Sequence, residues 1–263
     1  FCSRYDRGER TPSLIYGITG SGKTEVYMEM IAHVLKQGRQ VIVLIPEISL
    51  TYQTVMRFYR RFGSCISVMH SRLSAGERWD QYERARQGET QVMIGARSAL
   101  FTDLPDLGLI IMDEEHEGAY KSESTPRYHA REVAEKLAQM RNAAFVMGSA
   151  TPSLEAYTRA EAGIYRLYTL KSRAGEGSAL ASAEVVDLRK EMEEGNKSIF
   201  SRRLQELIRD RLEKKEQVML FMNRRGYSSF VSCRSCGEAV KCPHCDVTLT
   251  LHNKTRLVCH YCG

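Results

Sequence analysis

Short apolar runs alternate along this chain with longer segments whose apolar residues recur every three or four positions. The runs at 14–18, 41–45, 66–69, 92–94, 109–112 and 144–147 are dominated by aliphatic residues, the pattern of strands buried on both faces. Segments 24–37, 50–62, 75–87, 130–140 and 153–162 have helical spacing. In the first of these, Val26, Met30, Ile31, Val34 and Leu35 fall on one face. Strand and helix in turn predict an α/β fold, a parallel sheet with helices on both faces, over residues 1–170. The polar, Gly- and Ala-rich stretch 171–183 predicts a linker. Residues 184–188, a helix at 201–215 and a strand at 217–222 begin a second α/β unit over 184–231. From 232 to 263 apolar residues are sparse, so that segment needs something other than a core to hold it. There is no internal repeat beyond the alternation.

Composition changes this picture little. The 263 residues suffice for one full α/β domain and part of a second. Hydrophobic residues make up 43% and charged residues 27%, ordinary for a water-soluble globular chain. The longest apolar runs, 41–45 and 107–112, fall far short of the ~18 residues of a membrane span, and no secretory pattern is visible. Lys and Arg number 38 against 32 acids, a net charge of +6 that tilts mildly toward polyanionic partners. The chain begins at Phe1 and its cysteine pattern breaks off midway, so it is expected to be a fragment.

Chemistry enters at Gly17-Ile18-Thr19-Gly20-Ser21-Gly22-Lys23-Thr24. Set between a strand and a helix, this is a phosphate-binding loop. Gly17 and Gly22 permit the tight turn, and the backbone N–H groups from Gly17 through Thr19, Gly20 and Ser21 point at phosphate oxygens. Lys23 reaches the β- and γ-phosphates, and the Thr24 hydroxyl can ligate Mg²⁺. A Gly-rich turn of no function is the alternative, and the strand–loop–helix setting argues against it. Roughly 90 residues later the run 107–112 ends in Asp113-Glu114-Glu115-His116. Acids at the carboxyl end of a buried strand sit where parallel sheets keep ligand sites. Asp113 is expected to hold Mg²⁺ through water, and Glu114 to orient and deprotonate the attacking water. Arg97 and Ser98, just past another strand, are candidate phosphate contacts. Of the eight cysteines, Cys2 and Cys65 stand apart, Cys65 reading as a buried apolar side chain. The other six form C-x2-C pairs: Cys233 with Cys236, Cys242 with Cys245, Cys259 with Cys262. Each pair offers two thiolates to a tetrahedral Zn²⁺, so three pairs make one and a half sites and a fourth is expected beyond 263. His244, His252 and His260 are alternative ligands. Disulfides are the other reading.

The D-E-E-H run, with Gly148-Ser149-Ala150-Thr151-Pro152 after the next strand, resembles the superfamily 2 helicases. Added to these are Ile45-Pro46-Glu47-Ile48-Ser49-Leu50-Thr51, Gly95-Ala96-Arg97-Ser98-Ala99-Leu100-Phe101 and Asn223-Arg224-Arg225-Gly226-Tyr227 ahead of the paired cysteines. Together they narrow the resemblance to the primosomal, replication-restart helicases of bacteria (the PriA family), over about residues 14–263. The resemblance implies a RecA-like, P-loop NTPase lobe, then the start of a second RecA-like lobe with an inserted zinc module. It implies an ATP-dependent 3′→5′ DNA helicase acting on stalled forks, bound to forked and single-stranded DNA. Primosome proteins and a single-stranded-DNA-binding protein are its implied partners, in the bacterial cytoplasm and not at a membrane. ATP, Mg²⁺ and Zn²⁺ are the implied cofactors, two zincs in the full-length protein and one complete site here, from Cys242, Cys245, Cys259 and Cys262. Ser149 and Thr151 couple the ATP site to the nucleic-acid groove in that family, or else act as helix N-caps. Tyr120 and Tyr128, with His129 less so, resemble an aromatic-rich loop that senses single-stranded DNA, stacking bases while Lys121 and Arg127 meet phosphates. His70-Ser71-Arg72 resembles another family segment or is a solvated loop. The family's adenine-reading segment is not recognisable in residues 1–12. Its amino-terminal DNA-binding domain and its late arginine-bearing motifs are expected outside this chain, so the chain alone is not expected to unwind DNA. Two readings from other classes remain. A zinc-dependent scaffold with a nucleotide switch has no need of Glu114, and a small-molecule kinase leaves the S-A-T and cysteine elements without a role.

Overall fold

Every apolar run expected to be a first-unit strand lies in a single parallel sheet. The computed structural model describes all residues except 48, 175–180, 222–230, 232, 234, 235, 237 and 253–255. Two units are distinguished, Phe1–Ala179 and Leu180–Gly263.

The first unit runs α1 (Cys2–Asp6), β1 (Ser13–Gly17), α2 (Lys23–Leu35), β2 (Gln40–Leu44), α3 (Tyr52–Phe62), β3 (Ile66–Met69), α4 (Ala75–Arg86), β4 (Val92–Gly95), β5 (Leu107–Asp113), α5 (Ala130–Arg141), β6 (Ala144–Ser149), α6 (Leu154–Glu161) and β7 (Arg166–Leu170). The strands lie in the order β3-β4-β2-β5-β6-β1-β7, each pair parallel. β7 was not expected. It is an edge strand of partly exposed residues, so it has no continuous apolar run to announce it.

The two cores follow from the two-residue period of a strand. Leu14, Ile42, Ile110 and Phe145 face one side, where α5 packs through Ala130, Ala134 and Ala138 and α6 through Ala156 and Ala160. Their neighbours Ile15, Val43, Ile111 and Val146 face the other, against Tyr27, Ile31 and Val34 of α2 and Phe58 of α3. Each large aliphatic side chain buried this way contributes about 1.5–3 kcal/mol. Thr51, Ser74 and Ser153 cap α3, α4 and α6 with side-chain oxygens, which fixes where those helices start.

This topology brings the motifs to one edge, the carboxyl ends of the strands. Along it β3, β4 and β2 deliver residues 70–72, 96–101 and, among those described, 45–47 and 49–51. Next to them β5, β6 and β1 deliver 113–116, 149–152 and 17–24, and β7 delivers 171–174. Tyr5 of α1 lies at the opposite edge, where it closes with Arg39 and Val34 around Gly108 at the start of β5.

The second unit contains α7 (Leu188–Glu193), α8 (Arg202–Glu213) and the antiparallel pair β8 (Thr250–His252) and β9 (Arg256–Val258). The expected strand at 217–222 is not seen at 217–221: Val218, Met219, Leu220 and Phe221 are exposed and pair with no strand among the described residues. An extended segment with no ladder partner gains nothing that would define it as a strand. Residues 184–187 likewise carry no strand, and Asp187 caps α7. Met222 and Asn223 to Tyr227 lie outside the described residues.

Candidate nucleotide and nucleic-acid site

The phosphate loop closes around its own lysine. Gly20 and Gly22 hold φ values of +81° and +87°, where a side chain would be strained. A Cβ at Gly17 would lie 2.6 Å from Ser21 Oγ. Lys23, at the first position of α2, is buried, and its Nζ donates to the Gly17 carbonyl at 2.7 Å. Ser21 Oγ is buried without a hydrogen-bond partner, an acceptor and donor aimed at nothing in the protein. Thr19 and Gly20 are exposed at the loop's tip. Thr24, Asp113 and Glu114 line a cavity of about 160 Å³ together with Tyr27 and Arg57. This donor set of backbone amides, hydroxyl, lysine and carboxylates fits a nucleoside triphosphate with Mg²⁺.

Tyr27 is a site residue that the sequence did not single out. On α2 it reads as one more core residue, yet its hydroxyl donates to Asp113 Oδ1 at 2.9 Å. Gly148 makes room for it, since a Cβ there would sit 1.6 Å from the phenol oxygen. Burial pushes the Tyr27 phenol well up, with Asp113 adding to it, so the group stays a donor. Burial, then the neighbouring Glu114, also raises Asp113, while the Tyr27 hydrogen bond and Lys23 oppose the shift. Glu114 sits at φ +47°, a left-handed conformation that a residue with a side chain seldom adopts. The turn is closed by Glu117 N–H donating to Glu114 O at 2.9 Å.

His116 joins this turn to the S-A-T segment. Its Nδ1 lies 2.7 Å from Ser149 Oγ and 3.6 Å from Glu114 Oε2, and its Nε2 lies 3.4 Å from Thr151 Oγ1. Ser149 Oγ also accepts Thr151 N–H at 2.9 Å. The cap of α6 is Ser153, so neither Ser149 nor Thr151 serves as one.

The residues expected to meet DNA separate into two groups. Tyr120 is 1% exposed, and its hydroxyl donates to the carbonyls of Asp113 at 2.6 Å and Leu44 at 3.1 Å. Its ring therefore offers no face to a base, because tying down the ends of β2 and β5 buries it. Arg97 Nη1 donates to the Ala119 carbonyl at 3.2 Å and to Lys121 O, holding the turn that follows Glu117 and leaving less of the guanidinium for a phosphate than expected. Ser98 is exposed beside it. Tyr128 is half-buried, edge-on to Phe101 with ring centroids 5.4 Å apart, and Phe101 itself is 58% exposed. His129 caps α5, its Nδ1 accepting Arg131 N–H at 3.2 Å. Between Lys121 and His129, bridged to each other, residues 123–127 are exposed. A cavity of about 320 Å³ brings Glu47, Thr51 and Tyr52 against His70, Ser71 and Arg72.

In the second unit Cys242, Cys245, Cys259 and Cys262 place their four sulfurs within 4.8 Å of one another. The individual contacts of 3.3–3.8 Å are far longer than a disulfide bond of about 2.05 Å. Backbone N–H groups of Cys262 and Tyr261 point at Cys259 Sγ and hold its thiol down to about 6, while the shared sulfur contacts push Cys262 up to about 12. Four thiols this close, on two turns joined by the β8–β9 hairpin, make a tetrathiolate site suited to zinc. Cys233 and Cys236 are exposed and lie outside this group. His252 and His260 face each other, Nε2 to Nε2, at 2.8 Å and are not part of it. No helix among the described residues is long and apolar enough to cross a membrane.

Residues 9–160 match the DEAD/DEAH box helicase family, and residues 242–263 match the PriA DNA helicase Cys-rich region domain. The Replication restart protein PriA of Bacillus subtilis (strain 168) is 50% identical over 98% of this chain and 32% of its own length. That of Synechocystis is 46% identical over 95% of this chain and 31% of its own length. The chain thus spans about a third of these relatives. Among solved structures, the helicase MrfA matches with a TM-score of 0.52 at 16% identity, over 85% of this chain and 35% of that one. RecG bound to a three-way DNA junction matches with a TM-score of 0.50 at 20% identity, over 71% and 26%. These two speak to the fold. With its phosphate loop, D-E-E-H turn and S-A-T segment side by side on one sheet edge, the chain belongs to the DEAD/DEAH box helicase family and is similar to PriA.

Proposed function

We propose that this chain carries the ATP-hydrolysing lobe and zinc module of a replication-restart DNA helicase that moves 3′→5′ on single-stranded DNA at stalled or collapsed forks. The observation that carries the reading is the juxtaposition of Lys23, Thr24, Asp113, Glu114 and His116 with Ser149 along adjacent strand ends. The loop amides from Gly17 to Thr24 bind the phosphates, and Lys23 exchanges its Gly17 carbonyl for phosphate oxygens. Thr24 and Asp113 would hold Mg²⁺, which supplies Lewis-acid polarisation of the phosphates when bound. Glu114, beside Asp113, takes a proton from the attacking water. His116 links that turn to Ser149 and Thr151, which is the route by which DNA bound at 45–52, 70–72, 97–101 and 123–128 reaches the hydrolytic residues. Phe101 and Tyr128 stack bases, and Arg72, Arg127 and Ser98 meet phosphates. The tetrathiolate takes one zinc, and Cys233 and Cys236 belong to a second site. Forked DNA, primosome proteins and a single-stranded-DNA-binding protein are the partners this reading assigns, in a bacterial cytoplasm.

Hydrolysis of ATP by a protein carrying this chain, measured with and without oligothymidylate, tests the proposal. A rate that rises with DNA and vanishes in Lys23→Ala supports it. Turnover indifferent to DNA points instead to a nucleotide switch.

A further inference from the structure

Glu115 is the member of the D-E-E-H run that hydrolysis does not use. Its side chain is 0% exposed. Oε1 accepts the backbone N–H of Ser153 at 2.7 Å, and Oε2 accepts the Ser153 hydroxyl at 3.0 Å. Arg131, in the first turn of α5, brings Nη1 to 3.4 Å from Oε2 and donates from the same nitrogen to Ser153 Oγ at 2.9 Å. Arg131 is buried as well, and its Nε has no hydrogen-bond partner.

Such a pair is a poor way to stabilise a core. Removing two charges from water costs about as much as their attraction returns, and apolar residues of the same volume do as well or better. The guanidinium N–H left without a partner makes this pair worse than most. Its position suggests a different use. Glu115 directly follows Asp113 and Glu114, and its own N–H donates to Gly148 O at 3.1 Å. Ser153 closes the S-A-T-P segment, whose Ser149 holds His116. Arg131 closes the exposed loop that Lys121 and His129 bridge. Three functional segments therefore end on one buried carboxylate.

We infer that the Glu115–Arg131 pair is a positioning device that locks the 117–129 loop and the S-A-T-P segment to the Asp113–Glu114 turn, so that a shift of the loop by bound DNA is felt at the nucleotide. Charge and directionality give one register among the three segments, which apolar packing does not specify. This rests on the function proposed above and names the residues that carry its DNA-to-nucleotide coupling.

The experiment measures the dissociation constant of a non-hydrolysable ATP analogue on a protein carrying this chain, with and without oligothymidylate. Their ratio is the coupling factor, expected at about 5-fold or more in the parent. The variant is Glu115→Leu with Arg131→Met, which removes both charges and strands neither. It is expected to unfold somewhat below the parent's temperature, because the Ser153 N–H loses its acceptor, and to bind analogue alone and DNA alone within about two-fold of the parent, while its coupling factor falls to about 1. A double variant that keeps the parent's factor overturns the inference and leaves the proposed function standing. A parent with no coupling overturns both. Should the double variant fail to fold, Arg131→Lys decides by the same ratio: a reduced factor supports the inference and an unchanged one overturns it.

Discussion

The hydroxyl of Tyr27 donates to Asp113 Oδ1 at 2.9 Å, so the carboxylate expected to hold magnesium is anchored to the helix that carries the phosphate-loop lysine. One oxygen of Asp113 is thereby occupied, and the residue lines a cavity together with Thr24 and Glu114. Tyr120 grips the same residue from its backbone side. The phosphate loop, the D-E-E-H turn and the segment beyond Glu117 are thus tied through a single residue.

Tyr27→Phe keeps the ring and removes only this bond. It is expected to lower stability by about 1 kcal/mol and to raise several-fold the Mg²⁺ needed for half-maximal nucleotide binding. Nucleotide titrations at stepped Mg²⁺ concentrations check this, and an unchanged Mg²⁺ requirement would release Tyr27 from that role. Gly148→Ala is the harsher companion. A Cβ placed 1.6 Å from the Tyr27 oxygen forces ring or strand to move, with an expected cost of about 1–3 kcal/mol or more, read from urea unfolding.

Lys23 and Glu114 are expected to fail differently. Lys23→Ala removes the cation from the cradle, so nucleotide affinity falls at least ten-fold and hydrolysis disappears with it. Glu114→Gln keeps the size and most of the polarity of the side chain. Its nucleotide affinity should stay within a few-fold of the parent while turnover drops by about 10²–10⁴-fold. Near-parental turnover in Glu114→Gln would remove that residue as the base.

What the chain pattern discloses is what depends on local order. Strands such as β2 and β5, buried on both faces, are written as unbroken apolar runs, and the phosphate loop is written as glycines at fixed spacing. What it hides depends on a distant partner. Tyr120 follows acids and precedes basic residues, the setting of an exposed stacking ring, yet the carbonyls of Leu44 and Asp113 draw it inside. Arg97 reads as a phosphate contact, and only the fold shows that the Ala119 carbonyl takes up part of its guanidinium. Glu115 carries no role of its own in the sequence, and only the fold brings Arg131 and Ser153 to it. The strand expected at 217–222 had the right composition, and at 217–221 it meets no strand to pair with among the described residues.

A pH dependence follows from His129, the cap of α5. Burial first, and Arg131 second, hold its imidazole below the ordinary 6.5, against the pull of Glu132, Glu115 and Glu155. Neutral His129 accepts the Arg131 N–H, and its protonated form cannot. Below pH 6.5 the unfolded chain takes up this proton before the folded one does. The cap's contribution is therefore complete above 6.5 and is lost as pH falls through the lower, folded value. His129→Asn caps without titrating in this range. Urea unfolding at pH 7 and pH 5.5 should show the parent losing more stability than the variant, by up to about 1 kcal/mol. Equal losses would mean that His129 does not carry the dependence.

Zinc offers a test that separates the two units. The four grouped thiols should bind one zinc per chain, and Cys242→Ser or Cys259→Ser should abolish tight binding. Tetrathiolate binding of about 10–16 kcal/mol is folding free energy for a segment with little core of its own. Chelation should therefore melt the β8–β9 hairpin. The first unit has its own two cores, and Trp79 on α4 is the only tryptophan in the chain. Its fluorescence should report the same urea midpoint before and after chelation. Cys236, exposed and outside the cluster, should react with a thiol reagent while zinc shields the other four. Metal analysis giving two tightly held zincs would show that Cys233 and Cys236 complete a site within these 263 residues. A fall in the Trp79 midpoint on chelation would show instead that the metal supports the nucleotide-binding unit as well.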